Sequence, residues 1–123
     1  QLAHGIFPAV LADEGLAAAV EALAEDGRVP IRIRSLPEGR FTPGVETAAY
    51  TVIAEAVRAT TSGVVVEATH SGDALLVDIE AFDESGLDLI ALQDRLGALD
   101  GRLAVERRED GYVTLRAELP CES

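Results

Sequence analysis

Lysine, methionine and tryptophan are all missing from this chain of 123 residues, and cysteine occurs once, as Cys121. Without lysine there is no Schiff-base chemistry and no lysine grip on phosphate. A single cysteine cannot form an internal disulfide, so the expected setting is the reducing cytoplasm. Aromatic residues make up only 4%. No apolar run approaches the roughly 20 residues of a membrane-spanning helix. Positive charge is scarce as well: ten arginines face 22 acidic residues, for a formal net charge of −12. Nucleic acid and anionic membrane surfaces need clustered positive charge, so neither is an expected partner.

Apolar residues form 48% of the chain, enough to exclude disorder and to build one core in one domain. There is no internal repeat and no low-complexity segment. The opening Leu2-Ala3-His4-Gly5-Ile6-Phe7-Pro8 reads as mid-phrase, which suggests a domain within a longer protein.

Periodicity gives the elements. Asp13 is placed to cap a helix that carries Leu16, Ala19, Val20 and Leu23 on one face and stops at Gly27. Val29 to Arg34 alternates as a strand, and Pro30 puts it at an edge or at its own start. Leu36 to Arg40 is a turn, and Phe41 is expected to add a short strand. Pro43 opens a second helix with a stripe of Val45, Ala48, Ala49, Val52, Ile53, Ala56 and Val57. Val64–Thr69 and Ala74–Ala81 are strands, turned by His70-Ser71-Gly72-Asp73. Ser85 to Asp88 resembles a capping box for a third helix, whose Leu89, Leu92, Leu96 and Leu99 face inward before Asp100-Gly101 ends it. Leu103–Arg107 and Tyr112–Leu119 form a last hairpin, turned by Asp110-Gly111. This order predicts a two-layer α/β (α+β) sandwich: three helices on one face of a mixed, mostly antiparallel sheet of five or six strands.

Three stretches then resemble one family. L-A-H-G-I-F-P-A-V-L followed by G-L-A-A-A-V-E-A-L is similar to the end of a dimerisation helix and the entry to an ATPase domain. L-P-E-G-R-F-T-P-G-V-E-T-A-A-Y-T-V-I-A-E-A is similar to the approach to a first nucleotide-binding helix. L-Q-D-R-L-G-A-L-D-G-R-L-A-V-E is similar to the helix and strand that follow an ATP lid. Together, in order, they resemble the ATP-binding (GHKL, Bergerat-type) domain of bacterial sensor histidine kinases, nitrate-sensor subgroup. Phe7 stands where that subgroup's phrase has histidine. The resemblance implies a division into residues 1–12 as the end of the dimerisation helix or a linker, 13–120 as the ATPase-type domain and 121–123 as a tail.

The resemblance also implies a set of site positions. The family's helix carries a glutamate that aligns the attacking group and, four residues on, an asparagine that ligates Mg²⁺. Glu55 keeps the first position. Ala59 takes the second, and a methyl group cannot ligate a hard cation that demands oxygen. Ser62 and Gly63 replace a lysine and a histidine. In the adenine-binding Asp-x-Gly-x-Gly motif, one alignment puts Ala81 at the aspartate with Asp83 and Ser85 at the glycines. Another puts Asp83 at the aspartate with Ser85 and Leu87 at the glycines. Both break the motif. The lid is reduced to Phe82–Leu87, with Gly86 as a remnant, and Asp88 replaces the glycine that opens the next helix.

The implied function is a degenerate ATP-binding domain of a two-component sensor histidine kinase. It would act as a signalling scaffold, with no cofactor, no metal and no open adenine space, because Phe82 or its neighbours would fill it. Its partners would be other domains of the parent kinase and a response regulator, and the isolated domain would be monomeric. The alternative is an active protein-histidine kinase that binds ATP and Mg²⁺ through divergent motifs; an anti-sigma-factor-like regulator is a third reading. Glu55 alone remains as a candidate catalytic residue, beside the plainer reading of an acid on a solvated helix face. His70 sits in a turn with no partner at metal-ligand spacing, and the resemblance implies a phosphoacceptor histidine far upstream of His4, which is not assigned that role.

Overall fold

The computed structural model describes residues 9–84 and 86–121. Four helices and five strands follow one another as α1 (Ala9–Glu14), α2 (Leu16–Glu25), β1 (Ile31–Ser35), α3 (Pro43–Arg58), β2 (Val64–Ser71), β3 (Ala74–Phe82), α4 (Leu89–Gly97), β4 (Arg102–Arg107) and β5 (Tyr112–Pro120). The sheet order is β1-β2-β3-β5-β4. β1 runs parallel to β2 across the α3 crossover, and every other pairing is antiparallel. This is the mixed, mostly antiparallel sandwich that the element order predicts, with five strands and, among the described residues, four helices rather than the expected three.

Alternation decides which sheet face is covered. Leu75, Val77, Ile79 and Ala81 of β3 are buried, as are Val113, Leu115, Ala117 and Leu119 of β5. They meet the stripe of α3, where Val45, Ala48, Ala49, Val52, Ile53 and Ala56 are all buried. Leu16, Ala19 and Val20 of α2 and Leu92 and Leu96 of α4 complete the core. The intervening strand residues face out on the uncovered side, where Asp78 pairs with Arg116 at 2.6 Å across β3 and β5. The outer strands carry arginine: Arg32 and Arg34 are exposed on β1 and Arg102 on β4. Among the described residues, no helix is long and apolar enough to cross a membrane.

Some local readings need correcting. Asp13 is not a cap but lies inside the short helix α1; the helix after it starts past Gly15, whose φ of 103° breaks the run. Phe41 adds no strand, because its N–H goes to Glu46 Oε2 rather than to a sheet neighbour. His70 belongs to β2 rather than to the turn, and its ring meets Phe41 edge-on, with centroids 5.3 Å apart. The cap of α4 is Asp88, whose Oδ1 accepts the Ala91 N–H at 3.1 Å. Ser85 lies outside the described residues, as do His4 and Phe7.

Candidate functional site

The last turn of α3, the β3–α4 connection and the start of α4 meet at one end of the sandwich. Glu55 projects from α3 with Arg58 one turn on, a spacing that brings the two side chains together. Arg58 Nε donates to Glu55 Oε1 at 2.9 Å and Arg58 Nη2 to Oε2 at 2.5 Å. The same Nη2 donates to the Gly86 carbonyl at 2.7 Å. Glu55 Oε2 also accepts the backbone N–H of Asp88 at 2.9 Å. Its side chain is only 15% exposed, so the solvated-acid reading does not hold. The hydrogen bonds from Arg58, outweighing some burial, hold the Glu55 carboxyl below its ordinary range, and the Asp88 amide adds to this. Both oxygens of Glu55 are therefore engaged in pinning the connection onto α3.

Two further carboxylates of the connection are engaged in the same way. Asp83 Oδ1 accepts the Gly86 N–H and Oδ2 pairs with Arg107, each at 3.0 Å. Glu84 reaches back to the residues after α3. It accepts the Thr61 N–H at 3.0 Å, the Ser62 hydroxyl at 2.8 Å and the hydroxyls of Thr60 and Thr61, while its own N–H donates to the Ala59 carbonyl. Those bonds, led by the Thr61 amide, take its carboxyl down to about 2. Sequence reading missed Glu84, which had no family position to draw attention to it. It missed Arg58 too, although its i, i+3 spacing from Glu55 was a signal that could have found it.

The structure gathers the six described site positions at this end, but not as a ligand shell. Ala59 is the C-cap of α3 and 1% exposed. Ala81 faces the core at 5% exposure. Asp83, Gly86 and Asp88 belong to the pinned connection. Among the described residues, no three His, Cys, Asp or Glu side chains are grouped to hold a metal ion.

A cleft of about 800 Å³ lies between α3 and α4, walled by Thr51, Ala54, Glu55 and Arg58 on one side and Asp88, Ala91 and Leu92 on the other. Phe82 does not fill it. Strand alternation turns that ring to the uncovered sheet face, where it meets Tyr112 at 5.4 Å between centroids and lies close against Gly111. The Phe82 ring therefore does not plug this cleft, whose walls include none of Ala59, Ala81 and Asp83.

No family model matches the chain, and no curated protein sequence matches it. Its fold does have solved counterparts. The histidine kinase domain of the E. coli osmosensor EnvZ superposes with a TM-score of 0.61 at 16% identity, over 89% of this chain and 86% of that one. The Acinetobacter baumannii histidine kinase AdeS gives 0.58 at 12% identity, over 94% of this chain and 64% of that one. The likeness is one of fold: this chain has the architecture of histidine kinase catalytic domains.

Proposed function

We propose that the chain is a histidine-kinase ATP-binding-type domain of nitrate-sensor ancestry that has lost nucleotide chemistry and serves as a signalling scaffold. The observation that carries this is the engagement of Glu55. The one acid kept from the family's helix spends both oxygens on Arg58 and the Asp88 amide. Four residues on, where an oxygen ligand for Mg²⁺ would be needed, stands the buried methyl group of Ala59. Ala81 offers no carboxylate to an adenine amino group. The residues present do not fit Mg·ATP. In this reading residues 1–12 are the end of a dimerisation helix or linker, 13–120 the domain and 121–123 a tail. The partners are other kinase domains and a response regulator, and the setting is cytoplasmic.

The open cleft favours a second reading. Its volume falls within the roughly 300–1,000 Å³ usual for small-molecule sites. An active kinase with divergent motifs would use it for ATP, after freeing Glu55 from its clasp. Calorimetric titration with ATP, with and without Mg²⁺, separates the two. A ligand at 100 times its Kd adds about 2.7 kcal/mol to stability. The expected result is no heat and no thermal shift at millimolar nucleotide from folded protein. Clear saturable binding overturns the degenerate reading.

A further inference from the structure

A buried charge lies at the far end of α3, unconnected with the cleft. Glu46, in the first turn of that helix, has a side chain only 2% exposed. A carboxylate this buried is held only where it is paired and hydrogen-bonded. Arg40 supplies the pair: Nε donates to Oε2 at 3.1 Å and Nη2 to Oε1 at 3.2 Å, and the Phe41 N–H adds a third bond at 3.2 Å. The same guanidinium reaches the other way. Nη2 donates to the Ala12 carbonyl at 3.0 Å and Nη1 to the Asp13 carbonyl at 3.3 Å, both in the last turn of α1. A cation at the C-terminus of α1 and an anion in the first turn of α3 each suit the helix dipole.

Among the described residues, α1 is held by few buried side chains, with Val10 partly buried against the core. Leu11 is its one buried residue. The chain then turns at Gly15, where φ is 103° and an added Cβ would stand 2.7 Å from Arg40 Cδ. Positive φ and the close arginine stem both require glycine there. A helix with one buried and one half-buried apolar anchor, a glycine turn at its end and a side-chain clasp beside that turn has the parts of a releasable arm.

We infer that Arg40 and Glu46 form a clasp that fixes the direction of α1 against α3. Opening it frees α1 as a unit while α2, α3 and the sheet stay folded. The inference does not depend on whether the cleft binds nucleotide.

The test is amide hydrogen exchange, residue by residue, on the whole chain with Arg40→Met, which keeps an apolar stem without the charge. The expected result is exchange about tenfold or more faster at residues 13–15, in keeping with the loss of charge-assisted hydrogen bonds. Amides of β2, β3 and β5 keep their protection. Glu46→Gln is the second variant: it keeps the shape and removes the charge, and shows a smaller rise confined to the same residues. Unchanged exchange at 13–15 in Arg40→Met overturns the clasp. So does an equal loss of protection across the sheet in both variants, which would make the pair a general core support.

Discussion

The carboxylate of Glu55 accepts the backbone N–H of Asp88 at 2.9 Å, joining the last turn of α3 to the cap of α4. These residues are 33 positions apart in sequence. The contact turns a helix-borne acid into a fastening, and its removal is measurable. Glu55→Ala leaves Arg58 and the Asp88 amide without their acceptor. The expected loss is about 1 kcal/mol in urea denaturation, modest because Arg58 is half-exposed and screened by water. A loss of nucleotide binding as the main effect would contradict the fastening role.

Placing an asparagine at Ala59, as the kinase motif it resembles has, is not expected to create metal binding. The side chain would enter a site that is 1% exposed. A buried amide lacking partners costs about 1–3 kcal/mol on protein mutational scales. Ala59→Asn is therefore expected to lower stability and to show no Mg²⁺-dependent ATP heat. Binding rescued by this one change would mean that the rest of the site is intact.

Glu84 gives an acid signature. Its carboxyl is at about 2 in the fold, against an ordinary 4.5. The charged form is the one the fold favours, so its contribution is complete above 4.5. It fades as pH falls toward 2. The melting temperature of the wild type should fall more steeply through that window than that of Glu84→Gln, which has no proton to gain. Parallel curves would show that Glu84 is not bound by Thr61 and Ser62 in solution.

Cys121 is buried, and burial pushes its thiol up from the ordinary range. The thiolate is the reactive form. At neutral pH the folded protein should react with a thiol-specific disulfide reagent far more slowly than the urea-unfolded chain. Equal rates would place Cys121 in solvent.

The fold was legible because periodicity and punctuation agree. Pro43 and the α3 stripe, the alternation of β3 and β5, and the Gly27 and Gly111 breaks each mark an element that local physics suffices to define. The site was legible only as a list of positions. Neither of the contacts that engage Glu55 was read from the sequence: the i, i+3 pairing with Arg58 was overlooked, and the bond to Asp88 crosses 33 residues and depends on how α4 docks. Glu84 and the Arg40–Glu46 pair share this difficulty: an acid in a polar stretch reads as solvated until the fold surrounds it. Phe82 was misread for a simpler reason. One step along a strand reverses the face, and the parity that places Ala81 inward places Phe82 outward.

The arginines on the two outermost strands bear on how the domain behaves in a crowded solution. An open sheet edge is a template on which another chain can add a strand. Here Arg32 and Arg34 guard one border and Arg102 the other, and Pro30 stands just ahead of the first. A visiting strand would have to accommodate guanidinium groups at either border, so ordered stacking of copies into fibres is opposed at both. With the large excess of negative charge, this favours a domain that stays dispersed at high concentration.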